Sequence, residues 1–275
     1  MDSFDSVGTD IRFAGSIPEL YDSHLVPLIF EPYAADLAKR VAAHQPSRVL
    51  ETAAGTGVVT RAMAHALPAH VELVATDLNQ PMLDRAAAIG TPRPVTWQQA
   101  DATRLPFDDA SFDMVVCQFG AMFFPDRARA FSEARRVLRR GGLFLFNVWD
   151  RIEENELADT VTATLAALFP ADPPLFMVRT PHGYFDTHVI SRDLAAAGFD
   201  AAPRVETIAA RSRAASARVP AVAYCQGTPL RNEIEARSAA GLQEATAASA
   251  AAIVERFGTG PVDAKIQAHV IQVQR

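Results

Sequence analysis

Two acidic residues and a glycine-bearing turn in the first half of the 275-residue chain could together bind a nucleoside-type ligand. Glu51 ends an apolar run and is followed by the turn Thr52-Ala53-Ala54-Gly55-Thr56-Gly57. Glycine permits positive φ and lets a ligand approach the backbone closely. Asp77 comes 26 residues after Glu51, and an acidic side chain at a second strand end can accept hydrogen bonds from a ribose 2′,3′-diol. The spacing therefore predicts a ligand that contains adenosine.

The turn departs from the G-x-G-x-x-G pattern of pyrophosphate-binding loops. Ala53 stands where the first glycine would be, so binding of a pyrophosphate is disfavoured. A carboxylate such as Glu51 favours a cation instead. S-adenosylmethionine (SAM) carries an ammonium and a sulfonium and no phosphate, so these charges favour SAM over a dinucleotide.

Four ordered segments resemble the successive motifs of class I SAM-dependent methyltransferases, closest to the ubiquinone/menaquinone-biosynthesis-type (methyltransferase type 11) group. They are ETAAGTG, ATDLNQPMLDRA, QQADATRLPFDDASFDMVVCQFGAMFFPD and EARRVLRRGGLFLFNVW. The resemblance is strong over residues 45–150, weaker over 17–41 and only general from Arg151 onward, and Ala53 replaces the commonest glycine of the first motif. It implies an enzyme that transfers a methyl group, with SAM as cofactor and S-adenosylhomocysteine as product.

The resemblance also implies which residues contact the cofactor. Residues of the first turn would line its methionine moiety or support the loop: Glu51, Ala53, Gly55 and Gly57. Asp77 would hold the ribose hydroxyls. Residues after the second and third strands would flank the adenine or contact its amino edge: Leu78, Met82, Asp101 and Ala102. Residues at the end of the fourth strand would lie beneath the sulfonium: Gln118, Phe119 and Gly120.

The sequence leaves the catalytic residues undetermined. A sulfonium is already an activated methyl donor, so holding the acceptor in place can supply much of the acceleration. A phenol, hydroxyl or ammonium acceptor would also need a base, for which His24, His182 and Tyr21 are the candidates, although no paired carboxylate accompanies the histidines. His182 and His188 lack a third ligand at a known spacing, so no metal is predicted.

A parallel sheet would bring the cofactor residues together. Between residues 48 and 150, short β-branched runs alternate with amphipathic stretches, which predicts strands joined by crossover helices. Strands are expected over residues 48–52, 71–77, 96–100, 113–118 and 143–149. Asp126 should begin a helix that Gly141 and Gly142 end. The predicted fold is α/β: a Rossmann-like doubly wound seven-stranded sheet, mostly parallel with an antiparallel last strand, plus a helical lid.

The flanking regions are expected to be largely helical. Residues 18–43 should form short helices broken at Pro27 and Pro32. Beyond the core, the patterns predict helices over 155–169 and 191–197, the second ending at Gly198, and strands over 205–211 and 265–273. The Ala-rich residues 214–257 should be helical, with breaks at Pro220 and at Gly227.

These elements suggest three regions: an N-terminal helical lid over 1–45, a SAM-binding core over 46–150, and the remaining strands with a helical insert at about 212–258 in residues 151–275. The insert would either cap the pocket or form a dimer contact, so a homodimer is left open.

Composition and charge narrow the function classes. A formal net charge of −6 repels phosphate backbones, so nucleic acid is not an expected partner. No stretch reaches the roughly 18 apolar residues of a membrane span, and the opening residues lack a signal-peptide pattern, so the expected location is the cytoplasm.

Cys117 and Cys225 are expected to be reduced thiols. Gln118-Phe119-Gly120-Ala121 stands where an N-P-P-Y-like motif would mark a protein or RNA methyltransferase, which favours a small, apolar or aromatic acceptor.

Two further functions remain as alternatives. An NAD-dependent oxidoreductase is disfavoured by the missing third glycine and by the absence of a Tyr-x-x-x-Lys pattern. A non-catalytic SAM-binding protein would keep Asp77 and the glycine turn and lack a functional acceptor pocket.

Overall fold

Seven strands form one sheet in the computed structural model, which describes Asp10, Phe13 and residues 15–238 and 241–275. In chain order they are β1 Arg48–Glu51, β2 Glu72–Asp77, β3 Thr96–Gln99, β4 Phe112–Gln118, β5 Leu138–Trp149, β6 Arg204–Ala214 and β7 Val262–Gln274. The order across the sheet is β3-β2-β1-β4-β5-β7-β6. Neighbouring strands from β3 to β5 run parallel.

The last strand in the chain, β7, reverses this direction. Gly141, near the start of β5, donates its N–H to the carbonyl of Arg275, whereas Asp150, after the end of β5, donates to the carbonyl of Gln267. Residue numbers therefore rise along β5 and fall along β7, as in an antiparallel pair. The predicted Rossmann-like sheet with an antiparallel last strand is confirmed.

Helices connect and flank the strands. Those described are α1 Ile17–Leu20, α2 Glu31–Ala43, α3 Val58–Ala66, α4 Gln80–Ile89, α5 Arg127–Val137, α6 Glu156–Leu168, α7 Phe176–Arg179, α8 Thr187–Ala196, α9 Arg218–Gln226, α10 Leu230–Arg237 and α11 Gly241–Phe257. A π-helix, Tyr21–Phe30, joins α1 to α2, and short 3₁₀ turns lie at Ala121–Phe123 and Ile152–Glu154. Within the part of the chain that the structure describes, no helix is long and apolar enough to cross a bilayer.

The chain divides into two compact units. The first consists of the described residues up to Phe30 together with those of Trp149–Gly183 and Ala209–Gln267. The second consists of Glu31–Val148, Tyr184–Ile208 and Ala268–Arg275, and it contains all of the predicted cofactor residues. The boundaries predicted from the sequence, at residues 45 and 150, stay a prediction.

The core of the second unit holds β1 in place. Leu37 and Val41 on α2 and Val59 and Met63 on α3 are each four residues apart, so each pair shares one helix face. All four are buried in one cluster with Val49 of β1. Each such side chain contributes about 1.5–3 kcal/mol through burial. This packing fixes the strand that ends at the cofactor turn.

The N-terminal prolines do not break the helices as predicted. Pro27 lies inside the π-helix Tyr21–Phe30, and Pro32 lies in the first turn of α2. In the first turn of a helix the backbone N–H groups have no partner within the helix, so Pro32 lacks an N–H that would be unpaired in any case. The helix around Pro27 is a π-helix with i→i+5 hydrogen bonds, which are wider than those of the α-helix that proline would kink. The helical run therefore passes through both positions.

The prediction for Gly141 and Gly142 was also wrong. Helix α5 already ends at Val137, and both glycines lie inside β5, which begins at Leu138 instead of residue 143. A Cβ at Gly142 would lie 2.9 Å from the carbonyl oxygens of Arg139 and Asp113. The glycine thus permits a close approach of backbones at the start of a strand and does not end a helix.

Helix boundaries elsewhere were predicted with mixed success. Helix α8 begins at Thr187 instead of residue 191, because the Asp186 side chain caps it by accepting from the N–H groups of His188 and Val189. Gly198 follows it with φ +88°, as expected. Pro220 does not interrupt α9 because it lies in that helix's first turn.

Two predicted boundaries are confirmed. Gly227 separates α9 from α10. Asp126 caps α5 by accepting from the N–H of Arg129. Both residues act through the local chemistry that the sequence suggested, a helix stop and a side-chain cap.

Candidate cofactor site

The turn after β1 has an unusual backbone conformation. Ala53, Gly55 and Gly57 have φ values of +52°, +57° and +82°. Positive φ is unstrained for glycine and costs energy for alanine. Ala54 donates its N–H to the carbonyl of Thr76 on β2 at 2.9 Å, which ties the turn to the neighbouring strand. The turn thus lies at the carboxyl edge of the sheet, where open α/β sheets bind ligands.

Glu51 places a carboxyl group inside this edge. Its side chain is 2% exposed, and Thr60 Oγ1 on α3 donates to Glu51 Oε2 at 2.5 Å. Burial raises its pKa to about 8, against the opposing effects of the Thr60 hydrogen bond and the Arg61 charge; the nearby Asp77 raises it further. The group is therefore mostly protonated at neutral pH, and a cationic ligand would favour its ionised form.

Asp77 joins two turns. Its Oδ2 accepts from the Gly55 N–H at 2.9 Å and its Oδ1 from the Asn79 N–H at 2.8 Å. Burial is the main cause that raises its pKa, and these hydrogen bonds oppose it. A carboxylate oxygen can accept more than one hydrogen bond. The residue is therefore placed to support the β1 turn and to accept from ligand hydroxyls as well.

The four residues predicted around the adenine lie in different environments. Leu78 is 44% exposed, whereas Met82 is 3% exposed and packs in the core. Asp101 is exposed, and its Oδ1 accepts from both the N–H and the hydroxyl of Thr103 at 2.8 Å. Ala102 is half-buried. Because β2 and β3 are adjacent and parallel, their carboxyl ends bring these residues to the same edge as Asp77.

The end of β4 contacts the β1 turn. Gln118 and Phe119 are buried, and Phe119 has φ +51°. A Cβ added at Gly120 would lie 2.4 Å from the Cβ of Ala53 and 2.8 Å from the Sγ of Cys117. Gly120 is therefore needed because Ala53 occupies the space beside it.

The three candidate bases lie in the first unit. His24 is half-buried, with Nδ1 2.8 Å from the hydroxyl of Ser23. Tyr21 stacks on Phe30 at a centroid distance of 5.1 Å. Both remain predictions, since no contact of either defines a catalytic role.

His182 has the best-defined chemistry of the three. It is buried, and its Nδ1 lies 2.8 Å from the carbonyl oxygen of Asp150. A carbonyl only accepts, so Nδ1 carries the proton and Nε2 is the free basic nitrogen. Burial lowers the pKa of His182 to about 4, so the ring is neutral at pH 7.

Two residues that shape this edge were not predicted from the sequence. Thr60 donates to the Glu51 carboxyl, and Asn147 on β5 accepts the Phe119 N–H on Oδ1 at 2.9 Å. Asn147 interrupts the apolar run Phe144-Leu145-Phe146, Val148-Trp149. A polar residue in a strand that is buried on both faces is a signal that could have identified it.

Neither cysteine has metal-site or disulfide chemistry. Cys117 and Cys225 are free and buried, and burial raises the pKa of the Cys117 thiol to about 12. Among the described residues, no group of three or more His, Cys, Asp or Glu side chains could hold a metal ion.

Comparison with known proteins identifies the domain around this edge. Residues 50–146 match the family described as Methyltransferase domain. A demethylmenaquinone methyltransferase from Deinococcus radiodurans is 40% identical over 107 residues, which cover 38% of this chain and 44% of the relative. A ubiquinone/menaquinone biosynthesis C-methyltransferase, UbiE, from Idiomarina loihiensis is 34% identical over 126 residues, covering 44% and 47%. The chain thus spans less than half the length of these relatives.

Solved structures share the fold over most of the chain. The YcgJ protein from Bacillus subtilis has a TM-score of 0.55 at 21% identity and covers 89% of this chain and 99% of its own. A SAM-dependent methyltransferase from Thermotoga maritima has a TM-score of 0.51 at 14% identity, covering 94% and 99%. At these identities the likeness establishes the fold alone.

The family match implies SAM as the cofactor, and the residues present fit it. The buried Glu51 carboxyl is bonded by a neutral hydroxyl, which leaves it suited to the SAM ammonium. Thr56 Oγ1, in the same turn, is buried and has no hydrogen-bond partner among the described residues. Asp77 offers the acceptor oxygens that a ribose diol needs. Residues 50–146 of this chain therefore resemble a methyltransferase domain, and the predicted resemblance to class I SAM-dependent methyltransferases is confirmed.

Proposed function

We propose that this protein is a SAM-dependent methyltransferase that methylates a small, apolar or aromatic molecule on oxygen, nitrogen or carbon. The observation that carries the proposal is the buried Glu51 carboxyl at the β1 turn, which is bonded by a neutral donor. A cation bound beside Glu51 would stabilise its ionised form, whereas a pyrophosphate would gain no such attraction from the carboxyl in either form. This charge arrangement favours SAM over NAD.

Each predicted cofactor residue has a proposed task. When bound, SAM supplies an activated methyl group. Glu51 would hold the ammonium, and Asp77 would accept from the ribose hydroxyls while it supports Gly55. Leu78 would cover one face of the adenine, because it is exposed at the correct edge. Buried Met82 would support that surface from the core and not touch the ring.

The remaining roles are proposed from position along the edge. Asp101 and Ala102 would contact the adenine amino group, and the turn at Gln118, Phe119 and Gly120 would lie beneath the reacting methyl. Because the turn after β4 packs against Ala53, a substitution in that turn would also alter the turn after β1.

A quinol-like or phenolic ring is the first acceptor class to examine. The relatives at 34–40% identity are named for methylation of demethylmenaquinone and for ubiquinone and menaquinone biosynthesis. Their matches cover less than half of this chain. Residues outside those matches would select the acceptor, so the same fold can serve a different substrate.

Titration calorimetry with SAM, S-adenosylhomocysteine and NAD⁺ in parallel tests the cofactor. Micromolar affinity for both sulfur compounds, about −8 kcal/mol, with no binding of NAD⁺ is the expected result. Binding of NAD⁺ without SAM would favour an oxidoreductase and overturn the proposal.

Transfer of a radiolabelled methyl group from SAM to phenols and quinols then tests turnover. Wild-type protein should label at least one of them, and the Asp77→Ala variant should bind SAM more weakly and label less at a SAM concentration that saturates the wild type. SAM binding without transfer to any acceptor would favour a non-catalytic SAM-binding protein. The cytoplasmic location and a homodimer remain proposals, which cell fractionation and light scattering would test.

A further inference from the structure

Asn147 is a buried amide at the carboxyl edge of the sheet, and of its two polar side-chain atoms only the oxygen has a hydrogen-bond partner among the described residues. It is 0% exposed and lies on β5 in register with Gln118, the last residue of β4. A backbone N–H can only donate, so the amide oxygen of Asn147 must face the N–H of Phe119, which it accepts at 2.9 Å. The Nδ2 group therefore points away from that bond.

No described residue accepts a hydrogen bond from Asn147 Nδ2. A buried donor left unpaired costs about 1–3 kcal/mol. Such groups in native proteins call for a partner that completes them. An apolar residue of similar size would avoid the cost, so the amide's presence in an otherwise apolar strand points to a ligand oxygen as the missing partner.

The amide oxygen of Asn147 supports the turn that follows β4. Phe119 has φ +51°, a conformation that is costly for a bulky side chain and persists only where its surroundings hold it. The hydrogen bond from its N–H to Asn147 supplies part of that hold. Asn147 thus acts on the turn that would lie beneath the reacting methyl.

The strand order places Asn147 on the acceptor's side of the edge. The cofactor candidates lie at the ends of β1, β2, β3 and β4, whereas β5 borders β4 on the side away from β1. Asn147 therefore lies beside the turn that follows β4, which would lie beneath the reacting methyl, and on the side away from β1.

We propose that Asn147 Nδ2 donates a hydrogen bond to an oxygen of the acceptor, and that the acceptor carries this hydroxyl or carbonyl oxygen at or beside the atom that is methylated. The inference rests on the proposed function. In the transfer, the acceptor atom supplies the electron pair for the new bond to the methyl carbon. The pair of the broken sulfur–carbon bond stays on sulfur, and the acceptor's proton passes to water.

Binding of two matched probes to the protein saturated with S-adenosylhomocysteine tests this assignment. The probes are 1-naphthol and naphthalene, which differ by one hydroxyl. Wild-type protein should bind 1-naphthol about tenfold more tightly, because a site built to bond an oxygen rejects the analogue that lacks it. The Asn147→Leu variant, whose side chain can neither donate nor accept a hydrogen bond, should reduce that ratio to about threefold or less.

Two comparisons separate this role from a structural one. The side chain of Asn147→Gln keeps an amide N–H donor, so this variant should retain more of the wild-type ratio than Asn147→Leu. Asn155→Leu is the matched control, because Asn155 is a buried amide whose Nδ2 already donates to carbonyls of Asp150, Arg151 and Gln267. It should keep the wild-type ratio.

Equal affinity of wild-type protein for both probes, failure to bind either, or an unchanged ratio in Asn147→Leu would overturn the inference. Failure to bind S-adenosylhomocysteine is a different result, since it defeats the proposed function itself.

Discussion

Acidic residues at the two ends of the parallel strands in the second unit have pKa values that are shifted in opposite directions. At the carboxyl edge, burial raises the pKa values of Glu51 and Asp77. At the amino edge, Asp113 accepts from the N–H groups of Ser47 and Arg48 at 2.8 Å each and pairs with Arg139 at 2.6 Å. These partners lower its pKa despite an opposing effect of partial burial.

This difference distinguishes Asp113, which stabilises the fold, from Glu51, which would bind a ligand. Asp113 has its own cation and stabilises the fold in its ionised form. Glu51 is bonded by a hydroxyl, and the Arg61 charge does not offset the effect of burial. An uncompensated buried carboxyl reduces stability, and such groups are concentrated where a ligand completes the site. Substitutions at Glu51, Asp77, Asp113 and Ala53 test this difference between the two edges.

Removal of the Glu51 charge should stabilise the free protein and weaken cofactor binding. Its pKa is raised from 4.5 to about 8 on folding, so the folded state binds more protons between those values and stability falls as pH rises through them. In urea unfolding at pH 8, Glu51→Gln should therefore gain on the order of 4 kcal/mol relative to wild type, with little difference at pH 4.5. Equal stability of the two proteins at pH 8 would contradict the burial argument.

Loss of the Asp77 carboxylate should weaken SAM binding by about 1.5–3 kcal/mol, because two hydrogen bonds to a charged acceptor disappear. Calorimetry on Asp77→Ala measures the change. The control is Asp200→Ala, since the Asp200 side chain is 99% exposed and should leave the affinity unchanged. Unaltered affinity in Asp77→Ala would refute the ribose assignment.

Asp113→Asn should show the opposite pattern from Glu51→Gln. The asparagine keeps an oxygen for the N–H groups of Ser47 and Arg48 but loses the negative charge that pairs with Arg139, which should lower the free energy of unfolding by about 1 kcal/mol at pH 7. The folded pKa is lowered, so the loss should shrink as pH falls through it and the wild-type carboxylate becomes protonated. SAM affinity should stay within about twofold of wild type; a large loss would mean that the two edges are not separate.

The smallest effect is expected at Ala53. Its φ of +52° is strained for alanine, so Ala53→Gly should raise stability by up to about 1 kcal/mol in thermal unfolding. The same change removes the Cβ that would meet a side chain at Gly120. Gly120→Ala should therefore be tolerated better in the Ala53→Gly background than alone, and purely additive effects would argue against the contact.

Local chemistry made much of this edge predictable from the sequence. Glu51 and Asp77 each follow an apolar strand, and Gly55 and Gly57 mark a turn with positive φ, so sequence order alone placed them together. Strand bounds from β1 to β4 agree with the structure to within one residue, because buried parallel strands form apolar runs with little ambiguity.

Contacts between distant residues were not predictable in the same way. The bond between Asn147 and Phe119 joins residues 28 apart, and it depends on the register of β4 and β5. Gly142 was taken for a helix stop, because the backbone oxygen of Asp113 that crowds it is visible only once the strands are paired. Pro27 failed as a helix breaker because the helix around it is a π-helix.

Proton release during SAM binding tests the central claim most directly. Wild-type protein should be titrated calorimetrically at pH 7 in buffers of differing ionisation enthalpy. With a Glu51 pKa of about 8 in the free protein, binding of a cation should release about 0.9 proton, and Glu51→Gln should bind more weakly with almost no release. SAM binding by wild-type protein without proton release, or with the same release in Glu51→Gln, would contradict the account.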